Sequence, residues 1–206
     1  MLHFETIDPR TLQLLKDLQS LPLLQETLLV GDTSLALQLG HRNSVDLDLF
    51  GTVPYTSEEI RDAMSENHSV TVIKESKNIN IYLVDGIKVD IVNYKYPWID
   101  NCITEDGFSL AGIKDIAAMK ITVIIGRGTK KDFIDVYFLL KQFTLQVILE
   151  LYLNKYPDGS LFMAMKSLSF YDDAESDPMP VMYNDVSWDD IKAAIREAVI
   201  SFSNNQ

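Results

Sequence analysis

The hydrophobic period of this chain changes once, near residue 100, from two to about 3.6, and that switch constrains its fold more than any other feature. Before the switch, short runs alternate. SVDLDLF (44–50) places Val45, Leu47 and Leu49 on one face and Ser44, Asp46 and Asp48 on the other, the pattern of a half-buried strand. SVTVIKE (69–75), NINIYLV (78–84) and IKVDIV (87–92) read the same way, and Asp85-Gly86 supplies a hairpin turn between the last two. TLLV (27–30), closed by Gly31, is a buried strand. Three helices are interspersed: 11–18; 33–39, capped by Thr33 or Ser34 and stopped at Gly40; and 57–67, opened by Ser57. After the switch, 113–125, 130–143, 145–156, 160–168 and 188–202 all carry helical spacing. The stretch 171–185, with five acids and two prolines, reads as a flexible acidic loop. Strands mixed with helices, then helices alone, predict an α+β protein: a mixed-sheet domain over about residues 1–110 and a helical domain over 111–206.

With 47% hydrophobic and 23% charged residues in 206, the chain can fill a core, and disorder and low complexity are excluded. Its net charge of −12 repels nucleic acid on average, so a polyanion must meet a local basic patch or arrive with metal ions. The charge is uneven: Gly107–Lys141 carries a net +3 and Glu150–Gln206 a net −6. The basic middle segment is either a phosphate-facing surface or a solvated helical face. One cysteine, Cys102, and three scattered histidines give no internal disulfide and no zinc cluster. The opening MLHFETIDPR has no basic stretch followed by an apolar one, and no apolar run approaches about 18 residues. The expectation is a cytoplasmic protein without membrane contact.

On a strand, Asp46 and Asp48 would stand roughly 6–7 Å apart on one face. At an effective dielectric of about 20 their charges repel by roughly 2–3 kcal/mol unless a cation lies between them. Asp90 shares a face with Lys88 and Val92, and if 87–92 pairs beside 44–50, three carboxylates converge. Oxygen-only donors of that kind suit Mg²⁺ or Mn²⁺ and support phosphoryl transfer by metal ions. The other reading of the same spacing is an exposed polar face on a half-buried sheet. No G-x-x-x-x-G-K-[ST] or G-x-G-x-x-G run occurs, so a P-loop or dinucleotide fold is unsupported.

The run LLVGDTSLALQLGHRNSVDLDLF (28–50) resembles the first motif of the nucleotidyltransferase superfamily, specifically of the AbiEii/AbiGii-type toxin family: Gly-Gly-Thr, a short helix ending in Gly-His-Arg, then Ser-x-Asp-x-Asp. KVDIV (88–92) is similar to the strand bearing that family's third acid. IAAMKITVIIGRGTKKDFIDVYFLL (116–140) is similar to its third and fourth motifs, a lysine on one helix followed by Asp-x-x-Asp opening the next.

The resemblance implies metal-dependent transfer of a nucleoside monophosphate from an NTP to a hydroxyl of RNA (tRNA included) or of a protein. It further implies the toxin of a bacterial toxin–antitoxin or phage-defence pair, with an antitoxin partner. Asp46, Asp48 and Asp90 would be the catalytic, metal-holding acids, with Mg²⁺ or Mn²⁺ as cofactor. Gly31, Thr33, Arg42 and Ser44 would bind the nucleotide, Gly31 by letting the backbone approach the triphosphate and the 33–39 helix by its first amides. Lys120 and Arg127 would meet phosphate charge, and Asp132 and Asp135 would orient Lys120 or the base and ribose, unless they only complement the helix dipole. The site would lie between the two domains. Tyr94, Tyr96 and Trp98 would stack on a base or pack between the domains. One departure stands out: the family has Gly or Ser where this chain has Asp32, a carboxylate that opposes a triphosphate unless it turns away or caps the helix. The rival reading is therefore a catalytically impaired protein that acts by binding a protein partner, through the acidic 171–185 segment.

Overall fold

Asp85 and Gly86 both adopt positive φ, 50° and 84°, the geometry of a two-residue hairpin turn, and so fold strand β4 (Ile79–Val84) antiparallel onto β5 (Ile87–Asn93). The computed structural model describes residues 1–204, and within them the chain divides into two units. One comprises residues 1–96 and 101–111, the other residues 97–100 and 112–206. The short return segment 97–100 thus goes with the helices rather than with the sheet.

In the first unit, α1 (Pro9–Ser20) opens on Pro9, with the Asp8 carboxylate accepting from the Arg10 amide, and buries Leu14, Leu15 and Leu18. β1 (Thr27–Val30) leads directly into α2 (Gly31–Leu39), and Gly40 ends that helix in the left-handed conformation. Helix α2 starts two residues before the expected Thr33, on Val30 as N-cap, and no side chain caps it. β2 (Leu47–Gly51) keeps the expected alternation, Leu47 and Leu49 inward and Asp48 and Phe50 on the other face. The strand does not reach back to 44, however. Val45 is 55% exposed and Ser44 is buried, because residues 44–46 leave the sheet and only Ser44 forms an isolated bridge, to Ile7.

Helix α3 (Ser57–Ser65) is opened by a reciprocal Thr56–Glu59 capping box, one residue earlier than the Ser57 cap expected. β3 (Val70–Lys74) is followed by β4, β5 and a short hairpin absent from the sequence reading, β6 (Ile103–Glu105) and β7 (Phe108–Leu110), turned by Asp106 and Gly107 at positive φ. The seven strands lie in the order β3-β4-β5-β2-β1-β7-β6, parallel at β5·β2 and β1·β7 and antiparallel elsewhere. Leu29, Leu47, Leu49, Tyr82, Val89, Ile91 and Leu110 form a core with the buried leucines of α1 and with Ile60 and Met64 of α3.

In the second unit, α4 (Ile113–Gly126) is buried on nearly every side, as its run of apolar residues demands of a central helix. It packs against α5 (Lys130–Leu140), α6 (Leu145–Lys155) and α7 (Leu161–Leu168), while α8 (Trp188–Asn204) lies on α5. Thr144 and Ser160 cap α6 and α7. Among the described residues no single helix is long and apolar enough to cross a membrane.

Candidate active site

In the sheet unit the candidate residues gather at the start of α2. Gly31 has φ 69°, and a Cβ there would overlap the Asp48 carboxylate, so backbone conformation and space both require glycine. Asp48 and Asp90 are direct partners in the parallel β2·β5 pair, half-buried on the face opposite the core. The convergence that depended on strand pairing is present for these two. Lys88 places its Nζ 2.6 Å from Asp90 Oδ1 and offsets part of the local negative charge. Asp46 precedes the strand, and its backbone carbonyl accepts the Thr33 hydroxyl.

Three residues expected to bind the nucleotide, Thr33, Arg42 and Ser44, are buried and make contacts within the fold. Thr33 and Ser44 are buried and hydrogen bond to each other through their hydroxyls at 2.8 Å, tying α2 to the turn before β2. Arg42 is 2% exposed; its Nη2 lies 3.0 Å from Asp32 Oδ2 and its Nη1 donates to the Asn43 carbonyl at 3.0 Å. The buried guanidinium gives the Asp32 carboxylate a cationic partner. Asp32 is turned onto a cation, so its charge is neutralised within the fold rather than presented at the helix start.

The donor set Asp48 and Asp90, oxygen-only and adjacent across two strands, fits a hard divalent cation. The fit has a boundary: among the described residues no three His, Cys, Asp or Glu side chains are drawn into a metal cluster, so Asp46 is not gathered with the other two.

In the helical unit, Lys120 of α4 is not an open cation on a helix face. It is 2% exposed, with Nζ 2.6 Å from Asp135 Oδ2 and 3.1 Å from Asp132 Oδ1. Asp132 also closes a capping box with Thr129 and lies 3.5 Å from Arg127 Nε, whose side chain is largely exposed. The role of Asp132 as helix cap and as Lys120 partner are thus one arrangement. The basic patch is smaller than the sequence implied, because Lys130 is buried and donates to the backbone carbonyls of Glu175 and Asp177.

The aromatic triplet is divided. Tyr94 packs on Phe50 and Tyr96 within the sheet unit, with ring centroids 5.4 and 5.5 Å apart. Trp98 lies in the helical unit with its ring 4.6 Å from Lys155 Nζ. Lys155 and Asp115 form a fully buried pair, 2.6 Å apart, that sequence reading missed. Lys155 also donates to the Pro97 carbonyl, and Asp115 accepts the Ile99 and Asp100 amides. Burial lowers the Lys155 pKa while Asp115 opposes the shift. The only available signal was an acid and a lysine inside otherwise apolar helical spacing.

The chain is 32% identical over 199 residues, 93% of its length and 95% of the other's, to the uncharacterized protein aq_aa25 of Aquifex aeolicus (strain VF5). Among solved structures it resembles JHP933 from Helicobacter pylori, at 19% identity and TM-score 0.57, covering 97% of this chain and 96% of that one. It also resembles the nucleotidyltransferase toxin MenT4 from Mycobacterium tuberculosis H37Rv, at 13% identity and TM-score 0.59, covering 92% of this chain and 81% of that one. These likenesses establish a nucleotidyltransferase fold. The family model of the AbiEii nucleotidyl transferase toxin, of the type IV toxin–antitoxin system, matches residues 13–201, and the chain belongs to that family.

Proposed function

We propose that this protein moves a nucleoside monophosphate from an NTP to a hydroxyl of RNA (tRNA included) or of a protein, and that it is the toxin of a toxin–antitoxin or phage-defence pair. The observation that carries the reading is the close approach of Gly31, at the start of a helix without a side-chain cap, to Asp48, which pairs in register with Asp90. The first amides of α2 would hold the triphosphate, favoured by the helix dipole. Asp48 and its strand partner Asp90, with Asp46 drawn in from ahead of the strand, would hold Mg²⁺ or Mn²⁺, which when bound supplies charge neutralisation on the phosphates. Asp90 would accept the proton of the acceptor hydroxyl, whose oxygen bonds to the α-phosphorus as the bond to the β-phosphate oxygen breaks and pyrophosphate leaves. Arg127, exposed beside Asp132, would meet phosphate charge, and Lys120 would act from its place between Asp132 and Asp135.

The Arg42 guanidinium beside Asp32 supports this reading over the impaired-enzyme alternative. A ligand that binds only the native state raises its melting temperature by mass action. Mn²⁺ or Mg²⁺ with an NTP should therefore raise the Tm, Asp48→Asn should abolish the shift while keeping the fold, and α-labelled NTP should mark an RNA or protein acceptor. A shift that persists in the double variant Asp46→Asn, Asp48→Asn would refute the assignment.

A further inference from the structure

The acidic stretch after α7 is fastened over residues 171–177. Tyr171 is 3% exposed, Ala174 is buried in a short 3₁₀ turn, and the segment closes on the first turn of α5. Lys130, the first residue of that helix, is the wrong charge for a helix N-terminus, where the dipole favours anions. Its placement makes sense as a fastener. The ammonium donates to the carbonyls of Glu175 and Asp177, and the Lys130 backbone amide, one of the donors a helix start leaves unmatched, is accepted by Asp177 Oδ2 at 3.0 Å. The far side is held as well. Trp188 Nε1 donates to Glu175 Oε2 at 3.0 Å, Lys192 donates to Glu175 Oε1 at 2.7 Å, and the rings of Phe133, Tyr171 and Trp188 pack 4.9 to 6.1 Å apart. Burial pushes the Tyr171 phenol up to about 12, in keeping with a closed apolar contact.

The same first turn carries Asp132, which uses one oxygen on Thr129 and the other on Lys120, with Asp135 one turn later on Lys120 again. Any rotation of this turn moves both carboxylates relative to Lys120. Reacting groups tolerate little of that, since a displacement near 1 Å can cost on the order of a hundredfold in rate.

We propose that residues 171–177 are a strap that sets the geometry of the Lys120–Asp132–Asp135 group, with Lys130 and Asp177 as positioning residues for nucleotidyl transfer. The kinetic part rests on the function proposed above; the geometric part does not. The test compares the full chain with Lys130→Met, Asp177→Ala and Asp177→Asn, the last of which keeps an oxygen to accept the Lys130 amide. The first readout is the NMR signal of the hydrogen-bonded Lys120 ammonium, assigned by its loss in Lys120→Arg. It should vanish by fast exchange in Lys130→Met and Asp177→Ala and persist in Asp177→Asn. The second is transfer kinetics: kcat should fall at least tenfold in the first two variants, with the KM for NTP within twofold, and recover in Asp177→Asn. Survival of the ammonium signal in Asp177→Ala, or its loss with kcat unchanged, overturns the proposal. A wild-type protein that shows the signal but transfers no nucleotide refutes the functional reading and leaves the strap to be judged by the signal. If Lys130→Met fails to fold, Asp177→Ala, which loses fewer contacts, decides.

Discussion

Two buried cations, Arg42 in the sheet unit and Lys120 in the helical unit, change what single substitutions should do. As a lone lysine on a helix face, Lys120 could be removed at little cost to stability. Enclosed by Asp132 and Asp135, its removal takes the buried ammonium from both carboxylates, leaving Asp132 with Arg127 at 3.5 Å. Breaking such a pair costs about 3–5 kcal/mol, which for a chain of this size corresponds to a Tm lowered by roughly 10 °C. Thermal unfolding of Lys120→Ala should show that loss; a Tm within a degree or two of wild type would contradict the enclosure. Asp32→Ser restores the residue usual in the family but strips Arg42 of a buried partner. It should destabilise by about 3 kcal/mol, measured by denaturant unfolding, without improving nucleotide affinity in calorimetry. A clear gain in affinity would mean that the Asp32 charge had been felt by the nucleotide despite Arg42.

Among the elements, α4 and α6 are joined by the Asp115–Lys155 pair, which also secures residues 97–100. Lys155→Met keeps the stem and removes the charge, leaving Asp115 buried with only backbone donors, a loss of about 3–5 kcal/mol. Replacing both, Asp115→Leu with Lys155→Met, should recover part of it, because an apolar pair needs no desolvation, although the Ile99 and Asp100 amides then lose their acceptor. A double variant less stable than Lys155→Met would show that those amides outweigh the ion pair.

These elements also mark how far the sequence can be read. Strict alternation made Leu47–Gly51 and Ile87–Asn93 legible, and the Asp85-Gly86 turn fixed the register of the hairpin. β6 and β7 are three residues each, too short for a period to emerge, and their turn uses the same Asp-Gly chemistry without flanking alternation. Asp48 and Asp90 were visible because strand spacing is rigid, whereas Asp46 departs from that spacing ahead of β2. The partners of Arg42, Lys120 and Lys130 were not visible, since ion pairs between elements and hydrogen bonds across as many as 47 residues leave no local periodicity. For the same reason residues 171–177 read as a loop: acids and prolines announce irregular backbone but not what holds it.

For the whole molecule, acidification first relieves the repulsion behind the net charge of −12 and then removes the contribution of a set of hydrogen-bonded carboxylates. Asp85 is representative. The Ser69 amide, and then His68, whose Nδ1 donates to it at 2.7 Å, hold its carboxyl below the ordinary value. Glu5, Asp8, Glu59, Glu175 and Asp190 are lowered likewise by hydrogen bonds. A group with a depressed folded-state pKa stabilises above its unfolded value, about 4, and loses that contribution as pH falls through the folded value. Stability should therefore decline as the pH falls below about 4, and Asp85→Asn should make the decline shallower. Parallel pH profiles for the two proteins in urea unfolding would show that Asp85 takes no part.

The chain passes between its two units three times, at 96/97, 100/101 and 111/112, so neither unit is one continuous stretch of polypeptide. This orders events during synthesis. β1 is made early, but one of its two edges stays open until Phe108–Leu110 has been translated, because β7 is the strand that covers it. Residues 97–100, made before β7, wait longer still, until Lys155 has left the ribosome. A nascent chain of about a hundred residues therefore carries an unpaired hydrophobic strand edge, the kind of surface on which chains aggregate. A gene truncated after residue 110, where the sequence suggests a boundary, would yield a complete sheet still carrying four residues that have lost their contacts with Asp115 and Lys155.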